Sequence, residues 1–176
     1  MTNKLHPLQQ ISFTQANQAY VVEASAGTGK TWTIERLFIK ALLEATQPND
    51  LHIPLAIENI LVVTFTNDAT DELKQRISEQ IQTTINQIIY LNNQFEQEQI
   101  PENNQDIFLE YLLARQTNSA VNKRKKLFLQ DLTLLTRALQ NFDQAAIYTI
   151  HGFCNRILQD YQFECQTPTE FELLAS

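Results

Sequence analysis

The 176-residue sequence has little cysteine, little glycine and fewer basic than acidic residues. Its two cysteines, Cys154 and Cys165, lack the spacing of metal ligands, which favours a reduced intracellular setting and leaves a single disulfide as the alternative. The 13 Lys and Arg residues against 20 Asp and Glu give a formal net charge of -7. This charge argues against a broadly basic nucleic-acid binder but permits local contacts through backbone amides.

Long apolar runs are also missing. No stretch approaches the roughly 20 apolar residues of a membrane helix, and residues 1–7 lack the apolar segment of a secretory signal. A chain of this length is expected to form one domain with a sizeable core. We therefore expect a cytoplasmic protein without a membrane partner.

Two of the three glycines lie within residues 21–31 (VVEASAGTGKT), the stretch around which the chain is organised. It predicts a short apolar strand, a turn of small residues, and a helix that begins at Lys30. A phosphate-binding loop requires Gly, four free positions, Gly-Lys and then Ser or Thr. Here Ala24 replaces the first glycine, while Gly29, Lys30 and Thr31 are in place.

Small residues in this loop let backbone N–H groups approach phosphate oxygens, and the following helix directs its positive end at the anion. Lys30 is expected to reach the β- and γ-phosphates of a nucleoside triphosphate, and the Thr31 hydroxyl to complete the shell of Mg²⁺. We predict Lys30 and Thr31 as catalytic residues and Thr31 as the metal ligand. An ordinary glycine-rich turn is the alternative. The predicted phosphate-binding residues are Ala24, Ser25, Ala26, Gly27, Thr28, Gly29, Lys30 and Thr31.

A glutamine upstream of such a loop can recognise adenine, because its amide offers both a donor and an acceptor. Gln15 is the best-placed candidate, with Gln9 and Gln10 further upstream. In a segment so rich in glutamine, a solvated side chain is an equally good interpretation.

Hydrophobic periodicity predicts strand, helix, strand, a long helical excursion, strand and helix, the order of a parallel α/β domain. The predicted strands cover 21–23, 60–64 and 146–150; the predicted helices cover 31–45, 68–88, 107–112, 128–139 and 151–161. Segments 46–54 and 92–104 are predicted as loops, with one helical turn near 13–18 and Asn67 or Asp68 as a helix cap. Ligands bind at the carboxyl ends of parallel strands, so the loops after 23, 64 and 150 form the candidate working edge.

Two of these loops carry hydroxyls, an amide or imidazole, and an aromatic ring at a helix start. Such an arrangement suits single-stranded nucleic acid, with a base stacked on the ring and a phosphate on the backbone amides. Core packing of Phe65 and Phe153, and a structural role for His151, are the alternatives. The predicted DNA-contacting residues are Thr64, Phe65, Thr66, Asn67, His151, Gly152 and Phe153.

A basic run, residues 123–126 (KRKK), begins a predicted helix in the excursion. A nucleic-acid patch is one interpretation. A solvated helix face is the more common role of such a run, and we favour it.

Three stretches together resemble the RecB family of superfamily 1 DNA helicases. Residues 23–34 (EASAGTGKTWTI), 61–73 (LVVTFTNDATDEL) and 148–158 (YTIHGFCNRIL) are similar to helicase motifs I, Ia and Ib, in that order. Trp32 stands where relatives nearer to UvrD usually have Arg, and the His-Gly-Phe-Cys sequence favours RecB over AddA, the runner-up. The resemblance implies a RecA-like P-loop NTPase domain (helicase domain 1A) with a parallel sheet and a helical insertion, incomplete in this sequence.

The resemblance also implies an ATP-dependent 3′→5′ DNA helicase and exonuclease subunit of double-strand break repair and recombination. Its cofactors would be ATP and Mg²⁺, and its partners single-stranded or duplex-end DNA and RecC-like and RecD-like subunits. It divides the chain into a lead-in (1–18), a partial RecA-like domain (19–160, with the insertion at about 80–143) and the start of a connection to domain 1B (161–176). The resemblance also implies that Arg76 approaches the side of the domain that binds the nucleotide.

Several parts of a working motor are not found in these 176 residues. The Asp-Glu pair that holds Mg²⁺ should end an apolar strand, whereas the only such pair, Asp71-Glu72, lies inside a predicted helix. The arginines that stabilise phosphoryl transfer and a second RecA-like domain are also absent. We therefore expect the opening segment of a longer subunit, with weak nucleotide binding and no hydrolysis of its own. A small P-loop kinase and a nucleotide-binding remnant are the alternatives.

Overall fold

A computed structural model of the chain describes residues 6–14, 18–23, 25, 27, 29–47, 50–97, 106–117 and 121–161. Across these residues the protein is mostly helical, with two small two-stranded sheets. The elements in chain order are α1 (Pro7–Gln10), α2 (Lys30–Glu44), β1 (Thr46–Gln47), β2 (Asp50–Pro54), β3 (Val62–Thr64), α3 (Asn67–Glu96), α4 (Ile107–Thr117), α5 (Val121–Gln140), β4 (Ile147–Thr149) and α6 (Ile150–Asp160). None of the described helices combines the length and the apolar character needed to cross a membrane.

The parallel pairing of β3 with β4 confirms the prediction for the second and third strands. Val62 aligns with Ile147 and Thr64 with Thr149, and all of α3, α4 and α5 lies between the two strands in the chain. Because side chains alternate across a strand, Ile147 faces the core while Val63, 41% exposed, lies on the opposite face. Among the described residues, the helical core therefore covers the face of Ile147, whereas the face of Val63 stays partly exposed.

The predicted first strand is not formed by the described residues. Residues 20–23 belong to neither sheet, and Val21 is 90% exposed. A strand requires a partner for its backbone groups, and an apolar sequence does not supply one.

The predicted loop at 46–54 is instead an antiparallel hairpin of β1 and β2. Leu55 continues the pairing by donating its N–H to the Ala45 carbonyl at 3.0 Å. Proline favoured a loop in the sequence, but Pro54 ends β2, and an edge strand tolerates the missing N–H there.

The lead-in contains its helical turn earlier than predicted. It is α1, with Pro7 at its first position and His6 as its cap: the His6 Nδ1 accepts from the Leu8 N–H at 3.3 Å. Residues 13 and 14 form a bend, and residues 15–17 lie outside the described part of the chain.

Helix α3 is longer than predicted and begins one residue earlier. Its cap is Thr66, whose hydroxyl accepts from the Ala69 N–H at 3.2 Å, and not Asn67 or Asp68. The helix continues to Glu96 because apolar positions keep recurring beyond Ile88. Its buried face packs against α2, α4 and α5, and the apolar residues of that face are Leu73, Ile77, Ile81, Ile85, Ile88 and Leu91.

A buried ion pair joins α4 to α5, two of the helices that lie between β3 and β4 in the chain. The Arg115 Nε and Nη2 atoms each lie 2.8 Å from a carboxylate oxygen of Asp131, so α4 is bound to α5. Arg115 also donates to the Leu43 carbonyl of α2 at 2.9 Å. Burial alone would lower the pKa of Arg115, but the hydrogen bond and charge of Asp131 raise it, so the guanidinium stays charged.

Candidate nucleotide and DNA site

The predicted phosphate-binding loop contains two residues in the left-handed backbone region. Gly27 has a φ of +77° and Gly29 a φ of +83°. A Cβ at Gly27 would meet no protein atom within 4 Å, so this glycine is required by its backbone conformation and not by crowding. Of the other predicted loop residues, Ser25 is described and exposed, whereas Ala24, Ala26 and Thr28 lie outside the described residues.

Helix α2 starts directly after this loop. Gly29 is its N-cap and offers no side chain to the helix end, while its carbonyl accepts from the Thr33 N–H at 2.9 Å. Lys30, the first helical residue, is exposed and Thr31 is half-buried. The ammonium and the N-terminal amides of this 15-residue helix suit phosphate oxygens, and the hydroxyl oxygen suits a hydrated Mg²⁺. The described residues contain no group of three or more His, Cys, Asp or Glu side chains that would hold a metal ion by themselves.

The aromatic residue after the loop connects α2 to the lead-in. The His6 ring packs edge-on against Trp32, with 5.6 Å between ring centroids, and the Arg36 guanidinium lies 3.9 Å from the Trp32 centroid. Burial lowers the pKa of Arg36, while the charges of Asp106 and Glu35 oppose that shift. The sequence did not indicate that His6 and Arg36 pack against Trp32, because these contacts belong to no sequence motif.

A cleft of about 520 Å³ lies between residues 6–11 of the lead-in and residues 20–23. Gln10 and Tyr20 line it, and Glu23 lies at its end, two residues before Ser25 of the loop. Its volume falls within the range of small-ligand pockets. Gln15, the preferred candidate for adenine, lies outside the described residues, so the structure tests nothing about it.

The structure brings the two predicted DNA-contacting loops to one sheet edge. Thr64 and Thr149 are register partners at the carboxyl ends of β3 and β4. Helix α6 begins at the next residue after Thr149, and α3 begins at Asn67, with two residues between it and the end of its strand. The Thr149 hydroxyl caps α6 by accepting from the Gly152 N–H at 3.0 Å, as Thr66 caps α3. Two positive helix ends therefore lie side by side, an arrangement that can receive phosphate groups.

The aromatic rings at this edge differ in availability. Phe65 is 85% exposed, and Asn67 and His151 beside the helix starts are exposed too. Phe153 is half-buried and stacks on Tyr148, with 6.5 Å between centroids. Phe65 therefore offers an open ring to a base, whereas Phe153 packs within the protein.

Two further residues of this edge lie in the motif stretch 148–158 but were not among the predicted DNA contacts. The Arg156 guanidinium lies 5.4 Å from the Tyr148 ring centroid and donates to its hydroxyl. This contact joins β4 to α6, and the sequence alone does not predict it.

Arg76 faces two carboxylates on the described surface. It binds Glu72 at 2.7 Å and lies 3.6 Å from Glu35 of α2, and the Glu72 hydrogen bond and charge raise the pKa of Arg76. Asp71 and Glu72 are exposed on α3, in agreement with a solvated helix face. Arg76 thus contacts the helix that follows the loop, and its approach to a nucleotide stays a prediction.

The cap of α6 provides a test of this edge. Replacement of Thr149 by Ala is expected to lower the free energy of unfolding by about 1 kcal/mol, because it removes the acceptor for the Gly152 N–H. Chemical denaturation measures the change. Thr133→Ala is the control, since Thr133 is an exposed mid-helix residue of α5 and its replacement should cost almost nothing. Equal losses in the two variants would contradict the cap.

Comparison with known proteins identifies the family of this chain. Residues 5–176 match the UvrD/REP helicase N-terminal domain family. The chain is similar to proteins named RecBCD enzyme subunit RecB: 39% identical over 168 residues for Haemophilus influenzae, 36% over 154 for Escherichia coli K12, and 34% over 142 for Chlamydia pneumoniae.

These alignments cover 96%, 88% and 81% of the chain but only 13%, 11% and 11% of the respective relatives. The chain therefore spans a small part of the length of the relatives it matches. The RecB resemblance predicted from the motifs is confirmed by these matches. On this evidence the chain belongs to the UvrD/REP helicase N-terminal domain family.

Proposed function

We propose that this chain is the ATP-binding part of a RecB-like 3′→5′ DNA helicase and exonuclease subunit, built on a RecA-like domain. The observation that carries the proposal is the loop with two left-handed glycines that runs directly into α2 at Lys30. Such a loop and helix start together form an anion site. The relatives are named as subunits of RecBCD, so RecC-like and RecD-like subunits are the proposed partners, and DNA in the cytoplasm the proposed substrate.

In this proposal, different residues bind the phosphates, the Mg²⁺ ion and the base of the nucleotide. The backbone amides at Gly27 and Gly29 and the Lys30 ammonium bind the phosphates, and the Thr31 hydroxyl is a ligand of Mg²⁺. The base occupies the cleft between the lead-in and residues 20–23, where Gln10 would recognise it. Gln15, which lies outside the described residues, stays the other candidate for this role. Bound Mg·ATP supplies the phosphoryl group whose transfer drives the movement of the whole motor.

The edge of β3 and β4 is the proposed path of single-stranded DNA. The helix starts at Asn67 and Ile150 offer N–H groups to phosphates, and Phe65 offers its ring to a base. The other proposed contacts at this edge are Thr64, Thr66, His151, Gly152 and Phe153. Asp71 and Glu72 lie inside α3 and not at the end of a strand, and Glu72 is paired with Arg76, so neither is proposed as a Mg²⁺ ligand. We propose that this chain alone binds ATP weakly and does not hydrolyse it.

Calorimetric titration of the 176-residue chain with Mg·ATP tests the proposal, alongside an assay of phosphate release with and without single-stranded DNA. We expect binding without sustained phosphate release. A chain that unfolds cooperatively but binds no nucleotide would overturn the ATP site. Sustained Mg²⁺-dependent turnover would overturn the proposed lack of hydrolysis, and stimulation by a small metabolite would indicate a kinase.

The DNA path has its own test at Phe65. We expect Phe65→Ala to weaken binding of a fluorescent oligothymidine about tenfold, because one base loses its stacking partner. Stability should hardly change, since the ring is exposed. Leu129→Ala is the matched control, an exposed apolar residue on α5, and should leave DNA affinity unchanged. Similar DNA binding by both variants would contradict the assignment.

A further inference from the structure

Two charged side chains near the end of α2 hold the backbone of the lead-in. The Lys40 Nζ, in a residue only 7% exposed, donates to the Leu8 carbonyl at 2.9 Å. The Glu44 Oε2 accepts from the Phe13 N–H at 3.2 Å. The two side chains also pair with each other, with 3.5 Å between Nζ and Oε1. Segment 8–13 is therefore attached to α2 at both of its ends.

Buried charges are costly unless each one has partners, and this pair has several. Lys40 lies 4.7 Å from the centroid of the Tyr111 ring, a cation–π contact. Burial, and then the Glu44 charge, raise the pKa of Tyr111, so its phenol stays neutral. Within the segment, the side chains of Leu8 and Ile11 are buried as apolar anchors. The pair and the anchors together hold the segment in one position.

The segment held in this way is one wall of the cleft, since Gln10 and Ile11 line it. The helix that holds it is also the helix that begins at the phosphate-binding loop. Lys40 lies about 15 Å along α2 from Lys30, at 1.5 Å per residue. One rigid element therefore sets the distance between the cleft wall and the loop.

We propose that Lys40 and Glu44 act as positioning residues for nucleotide affinity. They keep the cleft wall ordered before the ligand arrives, so that the base of the nucleotide meets a preformed surface. Without them, binding would have to order segment 8–13, and that cost would weaken any ligand that uses the cleft. A ligand that touches only the loop would be unaffected. This inference rests on the proposed ATP site.

The test compares ATP with inorganic tripolyphosphate, which has the phosphates but no base. The full 176-residue chain carries the double substitution Lys40→Met and Glu44→Leu, because replacing both members of a buried pair by apolar residues usually preserves folding. We expect the affinity for Mg·ATP to fall about tenfold while the affinity for Mg·tripolyphosphate changes less than about twofold.

The matched control is Arg115→Met with Asp131→Leu, which makes the same kind of change in the other buried pair. It should leave both affinities as they are. Equal losses for ATP and tripolyphosphate, or no loss for ATP, would overturn the positioning role. If the unaltered chain binds neither ligand, the proposed ATP site itself is wrong.

Hydrogen exchange tests the attachment without any nucleotide. The amides of residues 8–13 should exchange faster in the Lys40→Met, Glu44→Leu variant than in the unaltered chain, while those of α2 keep their protection. Unchanged protection of residues 8–13 would overturn the inference whatever the chain binds.

Discussion

Replacement of Asp131 by Ala is expected to lower the free energy of unfolding by about 3–5 kcal/mol. Asp131 is 0% exposed and accepts both hydrogen bonds of the Arg115 fork. Its removal would leave a guanidinium charged among buried residues of α4 and α5, with only the Leu43 carbonyl as a partner. We expect this to be the largest effect of any single substitution considered for the described core.

Urea denaturation followed by circular dichroism measures the loss. The control is the double change Arg115→Met and Asp131→Leu, which removes the charge and its partner together and should cost far less than Asp131→Ala alone. A double variant as unstable as the single one would show that the two residues contribute packing and not compensation of charge.

Replacement of Lys30 by Ala is expected to reduce the affinity for Mg·ATP by about 100-fold, or about 2.7 kcal/mol. In the proposed site Lys30 supplies the positive charge for the β- and γ-phosphates at the start of α2. Its side chain is exposed, so the free energy of unfolding should change little. The loss should be the same for tripolyphosphate, because Lys30 is proposed to contact phosphate only.

Lys123→Ala is the matched control, an exposed lysine on α5. Calorimetric titration should give the same ATP affinity for this variant and for the unaltered chain. If Lys30→Ala and Lys123→Ala bind ATP equally well, the loop is only a turn and the nucleotide assignment fails.

Local signals made some elements predictable and not others. Helix α2 was predicted within one residue at each end, because the loop determines its start and apolar residues recur at the helical period. The hairpin of β1 and β2 was missed, because proline at the end of an edge strand looks the same in sequence as proline in a loop. The strand expected at 21–23 is absent for the opposite reason, since its residues suit a strand but pair with no strand among the described residues.

The candidate site, like the fold, could be predicted only in part from the sequence. Its motif residues could be proposed from the sequence because phosphate binding restricts residue type and spacing within a few positions. The Arg115–Asp131 pair was not, since it depends on the packing of α4 against α5. The four-residue spacing of Lys40 and Glu44 is visible in the sequence, but their contacts with the backbone of the lead-in are not. Phe65 is much more exposed than Phe153, and no sequence pattern predicts that difference.

The pairing of β3 with β4 also has a consequence for how the chain folds. The strands are three residues each and can meet only when α3, α4 and α5 have brought their ends together. Contacts so distant along the chain require loop closure before they contribute free energy, whereas helices form locally and fast. The edge proposed to bind DNA should therefore be assembled last during folding, and should open first while the helical core remains intact.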